Sequence, residues 1–196
     1  MKLIITRHGE TEENVNGIIQ GQLPGKLSEK GIEQAKKLAL RLKDEKIDHI
    51  YSSDLTRAAD TAKLIADYHK NTPFTLTKEL RERSLGEFEG ESEEEFGSGA
   101  KDRDGIYPQP KEGETLDELY QRGKDFLKYL KKTYTNETIL LVGHGGIDLA
   151  IIGFIENKGP KYVELGPSLA NTSVTIIEVN KENYNLLTLN SILHLV

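Results

Sequence analysis

The stretch Leu3-Ile4-Ile5-Thr6-Arg7-His8-Gly9-Glu10 and a second one, Ile139-Leu140-Leu141-Val142-Gly143-His144-Gly145-Gly146, each place a histidine directly after a short apolar run. Such a run is typical of a buried strand, and a glycine after the histidine lets a ligand approach the backbone closely. In an open α/β sheet, ligands bind at the carboxyl ends of the strands. Two imidazoles at that edge, one beside an arginine, indicate a site for phosphoryl chemistry.

The rest of the chain alternates between strand and helix patterns. A strand at about residues 2–6 precedes a long loop, 9–27, and further strands are predicted at 47–51, 74–77 and 139–142. Helices are predicted after Ser28, after Asp54, from Thr115 to Tyr134 and from Ile147 to about Glu156, and residues 174–193 predict a hairpin around a turn at 180–183. The first helix is expected to carry Ile32, Ala35, Leu38, Ala39 and Leu42 on one face. This order predicts an α/β fold, a three-layer α/β/α sandwich whose mostly parallel central sheet carries helices on both faces.

Composition bounds the class of protein. The 196 residues suit one domain over 1–196, and 36% hydrophobic with 30% charged residues is ordinary for a globular protein. A net charge of −6 argues against general nucleic-acid binding. No apolar run approaches the roughly 20 residues that a bilayer span needs, so no membrane contact is expected. The chain has no cysteine and no recognisable signal peptide, and the cytoplasm is the expected compartment.

Negative charge is concentrated in residues 86–115, an irregular stretch rich in glycine and proline that we expect to be a small lid insertion. Ten acidic residues stand there against three basic ones, an excess of seven negative charges. We expect these acidic residues to form a solvated face of the protein rather than a specific binding site.

The chemistry of a phosphomonoester site without a metal needs a nucleophile, cations for the phosphoryl oxygens and an acid for the leaving alcohol. His8 can be the nucleophile, since a neutral imidazole can form a phospho-histidine. Arg57, at another predicted strand-to-helix junction, can grip phosphate in bidentate fashion, and His144 can hold a further oxygen. Glu82 can be the proton donor, although Glu79, Glu87 and Glu89 lie nearby as alternatives.

These residues stand in a longer pattern, which resembles the histidine phosphatase superfamily in its phosphoglycerate-mutase-like branch. The matching segments cover most of the chain up to about Ala150 and occur in the family's order. They are Arg7-His8-Gly9-Glu10, Asn14, Gln20-Gly21, Leu27-Ser28-x-x-Gly31-x-x-Gln34-Ala35, Tyr51-Ser52-Ser53-Asp54-Leu55-x-Arg57-Ala58-x-x-Thr61-Ala62, Glu82-x-x-x-Gly86-x-x-Glu89-Gly90, Gly113-Glu114-Thr115 and Gly143-His144-Gly145.

The resemblance implies a role for each matched position. His8 would accept the phosphoryl group, and Arg7, Arg57 and His144 would form the phosphate pocket. Glu82 would be the general acid that later activates water. Asn14, Gln20, Gly21 and Gly145 would contact phosphate or substrate, although Asn14 could equally cap a turn in its loop. The resemblance implies neither a metal nor another cofactor.

Several functions remain within this resemblance. The expected one is hydrolysis of a small phosphorylated metabolite; the alternatives are a phosphoglycerate mutase, a phosphoprotein phosphatase and a non-catalytic module that binds phosphorylated ligands. A mutase must hold a bisphosphorylated intermediate under a closed, basic lid. Repulsion between like charges costs on the order of 1–4 kcal/mol per pair near a surface, so the acidic lid favours the hydrolase. The oligomeric state is left open, with a homodimer as one option.

Overall fold

The computed structural model describes residues 1–97, 101–180 and 183–196. Gly99 of the predicted insertion and the centre of the predicted turn at 180–183 lie outside these ranges. In chain order the strands are β1 (Lys2–Arg7), β2 (His49–Ser53), β3 (Phe74–Thr77), β4 (Thr138–Gly143), β5 (Val174–Val179) and β6 (Tyr184–Ser191). The α-helices are α1 (Glu12–Val15), α2 (Glu29–Leu42), α3 (Thr56–Ala66), α4 (Glu93–Gly97), α5 (Leu116–Thr133), α6 (Gly145–Ile155) and α7 (Tyr162–Leu165).

The six strands form one sheet in the order β3-β2-β4-β1-β5-β6. The first four strands in that order are parallel, and β5 and β6 add antiparallel neighbours at one side. Because β1 and β4 are adjacent and parallel, their carboxyl ends meet, with Arg7 opposite Gly143. The topology therefore brings the two histidine motifs together.

Alternate side chains of the central strands pack into two hydrophobic cores, one on each face of the sheet. Leu3 and Ile5 of β1 pack with α5 and α6, whereas Ile4 packs with α2 and α3. This is the predicted three-layer α/β arrangement, and it follows from the period-2 alternation of side chains along a strand.

The helices α2 and α5 begin at residues whose side chains accept hydrogen bonds from free amide groups. The Ser28 side chain accepts a hydrogen bond from the Gly31 amide at the start of α2. Thr115 and Glu118 form a capping box at the start of α5. The predicted bounds of both helices are therefore close to the observed ones.

Some details differ from the sequence-based prediction. Ile32 shares the apolar face of α2 but lies in the first turn, where it is exposed and outside the core cluster that Leu38 and Leu42 join. β2 begins and ends two residues later than predicted, so Ser52 and Ser53 are strand residues. α6 begins at Gly145, two residues earlier than predicted. The predicted loop at 9–27 contains the short helix α1, which has its own capping box.

The predicted lid, residues 86–115, is fastened to the body of the protein at several points. It contains a 3-10 turn (Gly86–Phe88) and α4 in its described part. The amide of Ile19 donates to the Glu91 carbonyl, and the amide of Gly90 donates to the Ile19 carbonyl. On the other side, the amide of Tyr107 donates to the Glu164 carboxylate of α7 at 2.8 Å. These contacts join residues 86–115 to the loop before α2 and to α7.

Candidate active site

His8 and His144 lie side by side at the carboxyl edge of the sheet. The His8 amide donates to the carbonyl of Gly143 at 3.0 Å, which continues the β1–β4 ladder one step beyond the strands. The two imidazole rings have centroids 5.0 Å apart, and both residues are buried. Two neighbouring parallel strands thus present both histidines to one small volume, as the sequence predicts.

The hydrogen bond of the His8 ring leaves one nitrogen available for attack. Its Nδ1 lies 2.7 Å from the carbonyl oxygen of Gly9. A carbonyl oxygen can only accept, so Nδ1 carries the proton and Nε2 carries the lone pair. Burial, followed by the positive charges of Arg7 and Arg57, holds the pKa of His8 well below its usual range. The ring is therefore neutral, the state in which it is a nucleophile.

The backbone around His8 is held by side chains from distant segments. The Gly9 amide donates to Thr61 Oγ1 at 3.0 Å, and Asn171 Nδ2 donates to the His8 carbonyl at 3.0 Å. These contacts fix the strand end, which brings Arg7 and His8 into the same site although they are neighbours on a strand. Asn171 was not singled out in the sequence, because nothing local links it to a motif 163 residues away.

Arg7 and Arg57 are anchored by backbone carbonyls and keep part of each guanidinium for a ligand. Arg7 donates to the Leu169 carbonyl at 2.7 Å. Arg57 is 1% exposed and donates to the carbonyls of Leu23 and Gly21 at 2.8 and 2.7 Å. Burial lowers the pKa of Arg57 to about 10, against the opposing effect of Glu82. Within the described residues, Nε of each arginine is buried without a hydrogen-bond partner.

His144 is fully buried, and neither ring nitrogen finds a hydrogen-bond partner anywhere in residues 1–97, 101–180 and 183–196. A buried polar group without a hydrogen-bond partner lowers the stability of the folded protein by about 1–3 kcal/mol. Such a ring is therefore unusual unless a bound ligand supplies the missing hydrogen bonds. Burial, and then the charge of Arg57, keeps the pKa of His144 well below its usual range. The residue precedes α6, so the amino end of that helix also faces the site.

Glu82 reaches the same volume from the loop that follows the 3-10 turn at Lys78–Leu80. Both carboxylate oxygens lie 3.1 Å from the amide nitrogen of Gly146, and Oε1 also accepts from the Arg83 amide at 2.8 Å. A Cβ at position 146 would lie 2.3 Å from Glu82 Oε1, so only glycine permits this approach. Arg122 of α5 holds the loop itself by donating to the carbonyls of Glu79, Arg81 and Glu82.

The three alternatives to Glu82 as proton donor, Glu79, Glu87 and Glu89, do not line the cavity. Glu89 Oε1 accepts from the amides of Gln22 and Leu85 at 3.0 and 2.9 Å, so this residue organises the loop before the lid. Glu79, Glu87 and Glu89 are not among the residues that line the cavity around His8, whereas Glu82 is.

The remaining predicted contacts also lie at this edge of the sheet. Asn14 lines the cavity, but its Oδ1 accepts from the Thr11 amide at 3.2 Å, so it also has the turn-capping role. Gln20 lines the cavity, and its buried Oε1 makes no hydrogen bond to a described residue. Gly21 adopts a φ of 49°, and a Cβ there would clash with Glu89. A Cβ at Gly145 would lie 3.9 Å from Arg7 and from Glu82, but Gly145 is not among the residues that line the cavity, whereas its neighbour Gly146 is.

Asp148 is a buried residue beneath this site that sequence reasoning missed. It belongs to α6, is 0% exposed, and neither carboxyl oxygen has a hydrogen-bond partner in the described part of the chain. Burial, and then the charge of Glu82, raises the pKa of Asp148 well above its usual range, and Arg7 opposes this. The signal available in the sequence was a lone acid in the apolar run Ile147-Asp148-Leu149-Ala150-Ile151-Ile152.

The cavity that His8 lines holds about 240 Å³. Its lining also includes residues that no motif marks, which are mostly apolar: Ile18, Ile19, Leu85, Phe96, Tyr107 and Val163. Glu93 of α4 also lines it. Over residues 1–97, 101–180 and 183–196, no three histidine, aspartate or glutamate side chains are grouped as a metal ion would need. No helix in the same ranges is long and apolar enough to cross a bilayer.

Two histidines, two arginines and a glutamate at the carboxyl edge of an α/β sheet define a class of phosphoryl-transfer enzyme. The family model of the histidine phosphatase superfamily (branch 1) matches residues 3–192. The chain is 35% identical to phosphoglycerate mutase-like protein 4 of Arabidopsis thaliana, over 91% of this chain and 79% of the relative. It is 32% identical to the metal-independent phosphoserine phosphatase of the same plant, over 99% and 83%.

Among solved structures, the phosphoserine phosphatase of Entamoeba histolytica in complex with 3-phosphoglyceric acid superposes with a TM-score of 0.87. It is 32% identical, and the match covers 100% of this chain and 99% of that one. This chain therefore belongs to branch 1 of the histidine phosphatase superfamily. The predicted family, the α/β fold and the enzyme class, a phosphatase of this superfamily, are confirmed.

Proposed function

We propose that the protein hydrolyses small phosphomonoesters through a phospho-histidine on His8 Nε2. One observation carries the proposal: Arg7 and Arg57 line the cavity with a neutral His8 ring, the His144 ring lies 5.0 Å from it, and buried nitrogens of all three make no hydrogen bond to the described residues. The oxygens of a phosphoryl group would accept hydrogen bonds from these nitrogens. Donors placed in advance around a transferring phosphoryl group are the main source of catalysis in such sites.

In the proposed first step, His8 Nε2 attacks phosphorus while the bond from phosphorus to the alcohol oxygen breaks. Arg7, Arg57 and His144 hold the three equatorial oxygens. Protonated Glu82 gives its proton to the departing oxygen, so the products are a neutral alcohol, a phospho-histidine and the Glu82 carboxylate. The Gly146 amide and the amino end of α6 then stabilise that carboxylate.

In the second step, a water molecule attacks the phospho-histidine and the bond between phosphorus and Nε2 breaks. The Glu82 carboxylate takes a proton from that water and is ready for the next cycle. Inorganic phosphate leaves, and His8 returns to the tautomer that the Gly9 carbonyl selects. Neither step uses a metal or another cofactor.

The charges of the cavity support hydrolysis over mutase activity. Arg7 and Arg57 are needed for the transferred group, and Arg83 is bound to Glu164. The described lining therefore offers no further unpaired cation for a second phosphate. The cavity volume of about 240 Å³ supports a metabolite over a phosphoprotein segment.

The proposal is tested by phosphate release and by trapping. We expect the wild type to release phosphate from phosphoserine and from 4-nitrophenyl phosphate, with activity kept in a chelator. His8→Ala should abolish release, while His69→Ala, whose ring contacts the Leu42 carbonyl, should not. Rapid acid-free quenching should show one labelled phosphoryl group on His8. Binding of phosphate without turnover would instead indicate a non-catalytic module, and faster transfer between phosphoglycerates than release would indicate a mutase.

Three further expectations stay predictions: one domain over residues 1–196 with a lid at about 86–115, a cytoplasmic location, and a homodimer as one option. Every group used in the proposed steps comes from a single chain.

A further inference from the structure

The cavity carries one charged side chain that the proposed chemistry does not use. Glu93 lines it, and none of the described residues forms an ion pair with the Glu93 carboxylate. The carboxylate is close enough to Arg7 to raise that arginine's pKa against the effect of burial. Glu93 therefore contributes negative charge beside the phosphate pocket, where a substrate's leaving group would lie.

Backbone contacts fix Glu93 in this position. Its amide donates to the Gly17 carbonyl at 2.7 Å, and Ser92 pairs with Ile18 in an antiparallel bridge. The start of α4 is thereby joined to the loop that also supplies Gln20 and Gly21 to the cavity. The charge at Glu93 is thus a feature of the cavity wall.

Aromatic rings stand beside this carboxylate. Phe96 and Tyr107 both line the cavity, with ring centroids 4.5 Å apart, and Phe88 packs against Phe96 at 5.0 Å. The Tyr107 ring already attracts an ammonium group, since Lys101 Nζ lies 4.2 Å from its centroid. A carboxylate beside aromatic faces is the arrangement that binds ammonium groups.

The charge balance of the cavity points the same way. A phosphomonoester dianion neutralises Arg7 and Arg57, and Glu164 neutralises Arg83. With Glu82 protonated for its role as acid, Glu93 is the charge left over among the described residues that line the cavity; Lys101, on the Tyr107 ring, is not one of them. A leaving group with an ammonium would neutralise it, whereas a carboxylate or a second phosphate would be repelled.

We propose that Glu93, with Phe96 and Tyr107, forms a subsite that selects phosphomonoesters whose alcohol carries an ammonium group. This inference rests on the proposed function and names its substrate class. The discrimination is electrostatic, and Glu93 is a largely exposed residue. One such exposed charge pair changes the rate by about threefold to fivefold, and its effect weakens as salt is added.

The test compares three substrates of similar size: phosphoethanolamine, 2-hydroxyethyl phosphate and phosphoglycolate, whose ends are positive, neutral and negative. For the wild type we expect kcat/KM to fall in that order. Glu93→Gln should lower kcat/KM for phosphoethanolamine about threefold to fivefold and raise it for phosphoglycolate by a similar factor, with the neutral substrate unchanged. Added salt should shrink the wild-type differences and leave those of the variant nearly constant.

Glu94→Gln is the matched control, because Glu94 is an exposed residue of the same helix that does not line the cavity. It should leave all three values unchanged. Phe96→Leu should reduce the preference for phosphocholine over its uncharged isostere, 3,3-dimethylbutyl phosphate. Equal changes for all three substrates in Glu93→Gln, or an equal effect of Glu94→Gln, would overturn the subsite. Failure of the wild type to hydrolyse the neutral substrate would overturn the proposed function and this inference with it.

Discussion

Replacing Asp148 by asparagine removes a buried carboxyl group and keeps its shape. Burial and the charge of Glu82 raise the pKa of Asp148 in the folded protein. The folded protein therefore keeps a proton on Asp148 at pH values where the unfolded chain has lost it. Below the ordinary pKa of 3.8 both states keep the proton, and the residue has no effect on the pH dependence. As the pH rises above that value, the unfolded state is favoured until the folded pKa is reached.

The size of the effect follows from one proton. The free energy of unfolding falls by up to about 1.4 kcal/mol for each pH unit in this range, or by up to about 3 kcal/mol between pH 5 and pH 7. Asp148→Asn should lack this contribution. We therefore expect the variant to gain stability relative to the wild type as the pH rises, whatever constant difference the buried amide introduces.

Urea unfolding of both proteins at several values between pH 5 and pH 8 measures this difference. The slope against pH is the readout, since loss of a packing contact would shift all points equally. Asp125→Asn is a matched control, because Asp125 is exposed on α5 and its contact with Gln121 lowers its pKa out of this range. Parallel curves for Asp148→Asn and the wild type would refute the reasoning and show that Arg7 keeps Asp148 ionised.

Three further predictions concern the catalytic groups. Glu82→Gln should lower kcat about 10²–10⁴-fold for alkyl phosphates and much less for 4-nitrophenyl phosphate, whose leaving group needs no proton; equal losses in the two assays would argue against Glu82 as the acid. Arg57→Lys should lower kcat/KM about tenfold to a hundredfold, because a lysine cannot bind the Gly21 carbonyl and phosphate together, and steady-state kinetics near wild type would contradict this. Because burial, Arg7 and Arg57 lower the pKa of His8, ¹⁵N NMR of the free enzyme should show a neutral ring from pH 8 to pH 6, and protonation near pH 6.5 would contradict the geometry.

Local patterns in the sequence were sufficient for most of the elements. β1 and β4 are continuous apolar runs, and the capped starts of α2 and α5 are visible as Ser28 and Thr115. Where the predictions failed, the deciding contacts were not local. Ile32 follows the helical period but lies in the first turn of α2, outside the core cluster, and β2 extends to Ser53 because β3 pairs with it as far as Thr77.

The candidate site was predictable to the extent that its residues lie in motifs. His8, His144, Arg57 and Glu82 each follow a recognisable local pattern, and the structure brings them together. Asp148, Asn171 and Glu93 follow none. Their positions depend on how α6, the segment before β5, and the lid pack around the edge of the sheet.

The amino-acid sequence by itself determined the order of strands and helices, the two histidine motifs and the family, because apolar periodicity and short motifs are properties of neighbouring residues. The tertiary structure alone decided which nitrogen of His8 carries the lone pair, which buried nitrogens have no hydrogen-bond partner among the described residues, and which charges line the cavity. Those properties arise from distances between residues far apart in the chain, and such distances exist only once the sheet and its helices have packed.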